Sequence, residues 1–193
     1  MRYNQRSHVS EGSSDPRRHR SQSSKGLFLQ AGHAIMMKSA FTIRKAVIGD
    51  AETVSRLTRE LFAELGHMPP INDLNQSVAF CKDILENDKY VVLLAVDSKG
   101  LVTGILTLSE GISIYAGGRF GVIGEFCVLP TMRSKGLGKA LLEKAKEFSQ
   151  SKGWKRIEVT PPSKEKHFRT YAFYTREGFR EIGPRLKYEE EPR

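Results

Sequence analysis

The chain predicts a mixed α/β sheet with helices on both faces, and three observations carry that prediction. Short β-rich runs alternate with longer segments whose apolar residues recur every three to four positions. Gly or Pro stands at nearly every change of pattern. Of the 193 residues 39% are hydrophobic, enough for one core with helices packed on a sheet. One folded domain is expected over residues 37–193, behind a tail of residues 1–36.

The elements follow in order. Phe41–Ala46 reads as a first strand. Asp50 then opens a helix with Val54, Leu57, Leu61 and Leu65 on one stripe, stopped by Gly66. Met68-Pro69-Pro70 is a rigid break. A second helix is expected from about Leu74 to Leu85, with Val78, Cys81 and Leu85 turned inward. Tyr90–Val96 is a strand, Asp97–Gly100 a hairpin turn, and Leu101–Leu108 the returning strand. A glycine-rich loop covers Gly111–Gly118, followed by a strand through Val122–Val128. Leu137, Leu141, Ala145 and Phe148 then mark a helix running to Ser149. Ile157–Thr160 is a strand, Pro161-Pro162 a break, and Ser163–Arg176 a helix closed by Gly178. Final strands are expected near Phe179–Ile182 and Leu186–Tyr188.

The tail is rich in Ser, Arg, Gly, His and Gln without helical or strand periodicity, so it reads as disordered. It faintly resembles an organelle transit peptide; the plainer reading is a flexible extension, with the folded part starting near Met36 or Met37. Net charge is +9. Residues 1–36 hold six Lys/Arg against two acids, leaving +5 on the remainder. A polyanionic ligand accounts for that excess without nucleic acid, for which no recognition pattern is present. Cys81 and Cys127 stand alone with no Cys/His clustering, so neither a disulfide framework nor a metal is expected, and a cytoplasmic setting is the simplest. The longest apolar run, Tyr90–Val96, is far too short to span a bilayer, so no membrane is expected.

The segment Arg133-Ser134-Lys135-Gly136-Leu137-Gly138-Lys139 is the most informative in the chain. A helix start attracts negative charge through its unpaired N–H groups. This one carries three cations instead, so an anionic ligand is expected there. A nucleotide P-loop does not fit: Ala140 follows Gly138-Lys139, and position 133 is Arg instead of Gly. A dinucleotide fingerprint lacks its third glycine.

That segment, with Phe173-Tyr174-Thr175-Arg176-Glu177-Gly178-Phe179 some forty residues on, resembles the GCN5-related N-acetyltransferase (GNAT) superfamily. The first motif matches Arg-x-x-Gly-x-Gly after a strand, and the second matches Phe-Tyr-x-x-x-Gly-Phe. The resemblance spans about residues 41–190. It implies a GNAT-like fold and an acetyl-CoA-dependent acyltransferase without a metal. Backbone N–H groups of Arg133, Ser134, Lys135, Gly136, Leu137, Gly138 and Lys139 would cradle the pyrophosphate, with Arg133, Lys135 and Lys139 adding charge. Main-chain groups of Phe126, Cys127 and Val128 would receive the pantetheine arm and the developing oxyanion. His167 stands where many members carry a cofactor-contacting Asn.

The resemblance also points to Tyr174 as proton donor to the departing thiolate. Its alternative reading is an aromatic that packs helix on sheet. Glu125 is the candidate base, as the only charged residue between Phe120 and Thr131. Strict alternation puts it on the same face as Ile123 and Cys127, where loss of water strengthens a carboxylate as a base. Alternatively Glu125 is satisfied by backbone N–H groups or by an arginine such as Arg119, or water serves as base. Cys127 reads as a buried small hydrophobe, since the superfamily transfers directly. The acceptor is expected to enter near Met68-Pro69-Pro70 and the 115–120 loop, with Tyr115 and Arg119 as contacts and Arg119 facing a carboxylate-bearing amine.

Three functions stay open. The first is an N-acetyltransferase acting on a primary amine of a small molecule. The others are a protein acetyltransferase for an N-terminus or lysine, and a non-catalytic acetyl-CoA-binding module. Homodimerisation is left open as well.

Overall fold

A computed structural model describes residues 41–183 and 185–188. The predicted tail, residues 1–36, lies outside the described residues. The elements are β1 (Phe41–Lys45), α1 (Ala51–Glu64), α2 (Leu74–Glu86), β2 (Tyr90–Asp97), β3 (Val102–Ser113), β4 (Gly118–Val128), α3 (Leu137–Ser151), β5 (Ile157–Val159) and α4 (Phe168–Arg176). Single 3-10 turns at Ile48–Asp50 and Pro130–Met132 lead into α1 and toward α3.

The sheet runs β1-β2-β3-β4-β5, antiparallel except for the parallel β4–β5 pair that α3 connects. Two-residue alternation divides its apolar side chains between two cores. On one face Val91, Leu93, Ala95, Leu106, Leu108 and Ile123 receive Leu137, Leu141, Leu142 and Ala145 of α3 and Tyr174 of α4. On the other, Val92, Leu94, Val102, Ile105 and Cys127 receive Ala51, Val54 and Leu57 of α1 and Cys81 of α2. Each fully buried Leu in these layers contributes about 2 kcal/mol by leaving water.

Local chemistry explains the boundaries. Asp50 takes both guanidinium nitrogens of Arg44 at 2.7 Å and the Val47 N–H at 2.8 Å, tying β1 to the entry of α1. Asp73 caps α2 by accepting from the Gln76 N–H. Gly121 is glycine because a Cβ there would lie 2.6 Å from the Trp154 ring that seals the α3 face.

Three expectations are corrected. The glycine loop is a shorter hairpin tip, since β3 continues to Ser113 and β4 resumes at Gly118. The last helix starts at Phe168 instead of Ser163, because Ser163 forms a separate turn, accepting from the N–H groups of Lys166 and His167. The expected strands at 179–182 and 186–188 are irregular. Ile182, Leu186 and Tyr188 are exposed, so no buried face holds them in a ladder.

The register of β3 on β4 contains the irregularity that matters most. Leu106 pairs with Phe126 and Leu108 with Ile123, so Gly124 and Glu125 together oppose Thr107. The extra residue is a β-bulge. It resets the alternation: Ile123 belongs to the α3 face and Cys127 to the α1 face. Glu125 therefore does not share a face with both, as strict alternation predicts. Its hydroxyl partners, Tyr90 and Thr107, place it on the α1 face.

Candidate active site

β4 and β5 pair through only three positions, Gly121–Ile123 with Ile157–Val159. Beyond them β5 ends at Val159 and the chain meets Pro161-Pro162, which have no N–H to continue a ladder. The β5-side edge of β4 past Ile123 thus has no strand partner among the described residues. Glu125, Phe126, Cys127 and Val128 all lie on this open stretch.

Glu125 is half-buried, and its carboxylate is held by two hydroxyls on the same oxygen. Tyr90 Oη donates to Oε2 at 2.8 Å, and Thr107 Oγ1 donates to the same atom. The Glu125 N–H, left over by the bulge, donates to Thr107 Oγ1 at 2.8 Å. No arginine among the described residues reaches it. Burial pushes the Tyr90 phenol well up, with the negative charge of Glu125 adding to the shift, so Tyr90 remains a donor at neutral pH.

Tyr174 is 6% exposed on the opposite, α3 face. Its ring meets Phe179, Phe173 and Phe126 edge-on at centroid distances of 5.4, 5.5 and 6.2 Å. Burial pushes this phenol up as well, keeping its proton in place. Its hydroxyl has no hydrogen-bond partner among the described residues. Both readings of Tyr174 therefore meet in one residue, a packing ring with an uncommitted O–H.

Between β4 and α3 the chain takes an unusual path. Ser134 (φ 61°) is the one non-glycine with positive φ among the described residues, and Gly136 follows at φ 80°. The N–H of Arg133 returns to Pro130 O and that of Ala140 to Gly136 O. The six N–H groups between them, Ser134 through Lys139, have no partner among the described residues. Left-handed residues alternating with others turn successive N–H groups toward a shared concavity, an arrangement that suits an anion. Gly138 lies 3.7–3.8 Å from the rings of Phe173 and Phe126, measured from an added Cβ, so the turn rests on the aromatic cluster holding Tyr174. Lys135 and Lys139 are exposed and make no ion pair among the described residues.

Arg133 points elsewhere than its motif suggests. Its Nε donates to Val128 O at 2.8 Å, and its Nη2 donates to the Glu64 carboxylate in the last turn of α1. Its backbone N–H and its side chain are thus both committed, and Val128 O is occupied by it. His167 is half-buried at the start of α4, where its carbonyl accepts from Thr170 and Tyr171. Cys127 is 5% exposed, and burial, reinforced by the Glu64 charge, raises its thiol to about 11. It is not a nucleophile at neutral pH.

The predicted acceptor contacts separate. Arg119 has the parity of Gly121 and Ile123 and so lies on the α3 face, opposite Glu125. There it is ion-paired with Glu110, which also accepts from Trp154 Nε1. It stands six residues before Glu125, about 20 Å along the strand. The structure therefore does not bring Arg119 to Glu125. Tyr115 does reach the α1 side, stacked 5.2 Å from the guanidinium of Arg156, with Phe120 at 5.4 Å. Arg156 Nη2 lies 2.6 Å from Glu158, whose strand neighbours Ile157 and Val159 pack on the α3 side. Arg156 and Glu158 thus pave the Glu125 face where α1 and α2 leave it uncovered. Sequence reasoning passed over both, although the alternation of Arg156–Val159 was the signal that could have found them.

Met68 and Pro69 line a separate groove of about 840 Å³ with Arg56, Arg59, Glu60 and Ala63. Those α1 residues lie opposite the core-facing Val54 and Leu57, so the groove opens away from the sheet. No candidate catalytic residue lines it. The chemistry favours the sheet face. Among the described residues no cluster of three His, Cys, Asp or Glu is arranged for a metal, and no helix is long and apolar enough to cross a membrane.

Comparison with known proteins agrees with this geometry. A family model described as an acetyltransferase (GNAT) domain matches residues 86–181, from the end of α2 past α4. The chain is 28% identical over 142 residues to the uncharacterized N-acetyltransferase YhfO of Bacillus subtilis (strain 168), covering 72% of this chain and 89% of that one. Among solved structures, a predicted acetyltransferase from Clostridium acetobutylicum crystallised with acetyl-CoA superposes with TM-score 0.66 at 16% identity, over 77% of this chain and 96% of that one. The aminoglycoside N-acetyltransferase AAC(6')-Iy in complex with CoA gives TM-score 0.66 at 18% identity, over 79% and 95%. With a turn whose N–H groups have no partner among the described residues before α3 and an open edge on β4, the match over residues 86–181 means that the chain carries an acetyltransferase domain of the GCN5-related N-acetyltransferase (GNAT) superfamily.

Proposed function

We propose that the protein transfers an acetyl group from acetyl-CoA directly to a primary amine of a small molecule. The observation that carries this reading is the run of six N–H groups from Ser134 to Lys139, unpartnered among the described residues, at a helix start that lacks acidic residues. Backbone donors aimed into one concavity, with Lys135 and Lys139 beside it, fit a diphosphate better than any neutral group. The open edge of β4 at Phe126 and Cys127 offers main-chain groups to an amide-bearing arm.

Bound acetyl-CoA would supply an activated acetyl thioester. The chain's own residues supply the rest. Glu125, on the α1 face, takes a proton from the acceptor nitrogen, directly or through one water. Tyr174, on the α3 face and kept protonated by burial, gives its proton to the leaving sulfur. The gap past Ile123 and Val159 is where the two faces communicate. Arg156, Glu158 and Tyr115 form the uncovered floor on the base's side and are the side chains available to sort acceptors.

Calorimetry with acetyl-CoA and CoA tests the cradle, and a CoA-release screen over amines, amino acids, aminoglycosides and peptides tests the chemistry. Stronger turnover of peptides than of free amines would favour a protein acetyltransferase. Binding without release from any amine, unchanged in Glu125→Gln and Tyr174→Phe, would favour a non-catalytic sensor. Absence of CoA binding ends the reading.

A further inference from the structure

We infer that Tyr90 and Thr107 are positioning residues that grip Glu125 by Oε2 alone and so make Oε1 the single proton-accepting atom of the site. The inference rests on reading Glu125 as the base and specifies how that base is aimed.

The bulge is what makes the grip possible. With two residues of β4 opposite one of β3, the ladder leaves a backbone N–H of β4 without its usual carbonyl. Thr107 resolves this with one hydroxyl: the oxygen accepts from the Glu125 N–H, and the single proton goes to Glu125 Oε2. Backbone and side chain of the same residue are thus fixed through one atom. Tyr90 comes from β2, two strands away, and is level with Ser109 in the register. It reaches diagonally over β3 to the same Oε2.

Room for this convergence is left by Gly124. A Cβ at that position would lie 3.0 Å from Thr107 Oγ1 and 3.6 Å from Tyr90 Oη. Thr107 is itself 1% exposed, so its hydroxyl has nowhere else to turn. Oε1 receives no hydrogen bond among the described residues. A carboxylate gripped at both oxygens is a poor base, and one gripped at neither wanders among rotamers. One-sided anchoring leaves a lone pair in a fixed direction at little entropic cost.

The titratable groups facing Glu125 are Tyr90 on β2 and Cys81 on α2, both raised above their ordinary ranges chiefly by burial. Both therefore stay uncharged at neutral pH.

The test uses the full chain with Tyr90→Phe, Thr107→Val and Thr107→Ser. Carbon-13 NMR of glutamate carboxyls, with the Glu125 signal assigned by its loss in Glu125→Gln, reads the carboxylate without any acceptor. Tyr90→Phe and Thr107→Val should each move its midpoint to higher pH, because each removes a donor to the ionised form, while Thr107→Ser restores it. With acetyl-CoA and the best of kanamycin, spermidine, L-lysine and an Ala-initiated peptide, kcat should fall about tenfold per lost donor. KM for acetyl-CoA should stay unchanged. An unmoved midpoint in both variants overturns the inference. If the wild-type chain acetylates none of these amines, the acetyl-transfer reading loses its support, while the carboxyl titration still decides whether the grip exists.

Discussion

Arg133 and Glu64 join the turn before α3 to the last turn of α1, with Arg133 also bonded to Val128 O at 2.8 Å. A carboxylate at a helix C-terminus is unfavourable, so Glu64 gains from a cation placed there. Arg133 in turn is held as a strut under the turn by Val128 O and Glu64. Arg133→Met and Glu64→Gln should each weaken acetyl-CoA binding about three- to tenfold, and the double variant no further than either alone. Calorimetry reads the cycle. A loss in Arg133→Met with none in Glu64→Gln would assign Arg133 to the phosphates directly.

If main-chain groups form the cradle, side-chain identity at Ser134 matters less than its φ of 61°. Ser134→Gly should retain CoA affinity, since glycine adopts that conformation freely. Ser134→Val, with a β-branched side chain at positive φ, should lose at least tenfold. Equal affinity in the two variants would remove the backbone geometry from the account.

Glu125→Gln and Tyr174→Phe should lower kcat about 10²- to 10⁴-fold while leaving acetyl-CoA binding nearly intact. Burial holds the Tyr174 proton far above neutrality, so its loss does not limit the rate below pH 10. A Tyr174→Phe enzyme with full kcat would leave the ring only its packing role.

The Cys127 thiol, raised to about 11 and 5% exposed, should react with iodoacetamide far more slowly than an exposed thiol at pH 8. If transfer is direct, as proposed, Cys127→Ala should keep most of kcat. Rapid burst labelling of Cys127 by acetyl-CoA, detected by mass spectrometry, would contradict this.

Asp50 sits below the ordinary carboxylate range, chiefly because Arg44 donates two bonds to it. A depressed folded-state value means its stabilisation is present above the unfolded-state pKa and is lost as pH falls below about 4. Thermal melts of wild type and Asp50→Asn should therefore differ at pH 6 and converge toward pH 3. Parallel curves across that range would place the acid sensitivity elsewhere.

Most of the elements, their order and the glycine turn at 133–139 were legible in the sequence, because periodicity and Gly/Pro punctuation are local properties of the chain; the start of α4 and the lack of strands at 179–182 and 186–188 were not. Glu125 and Tyr174 were legible as candidates for the same reason: one is a lone charge in an apolar strand, the other lies in a short motif. What the chain cannot spell out locally is register. The bulge at Gly124-Glu125 is a relation between β3 and β4, and it moves Glu125 off the face shared with Ile123 and onto the one with Tyr90 and Thr107. Long-range pairing likewise decided which arginine does what. Arg133 went to Glu64, 69 residues away. Arg119 went to Glu110 on the far face, and Arg156 came to stand under Tyr115 instead. Strand alternation proposes two faces for every residue, and only the packed sheet chooses between them.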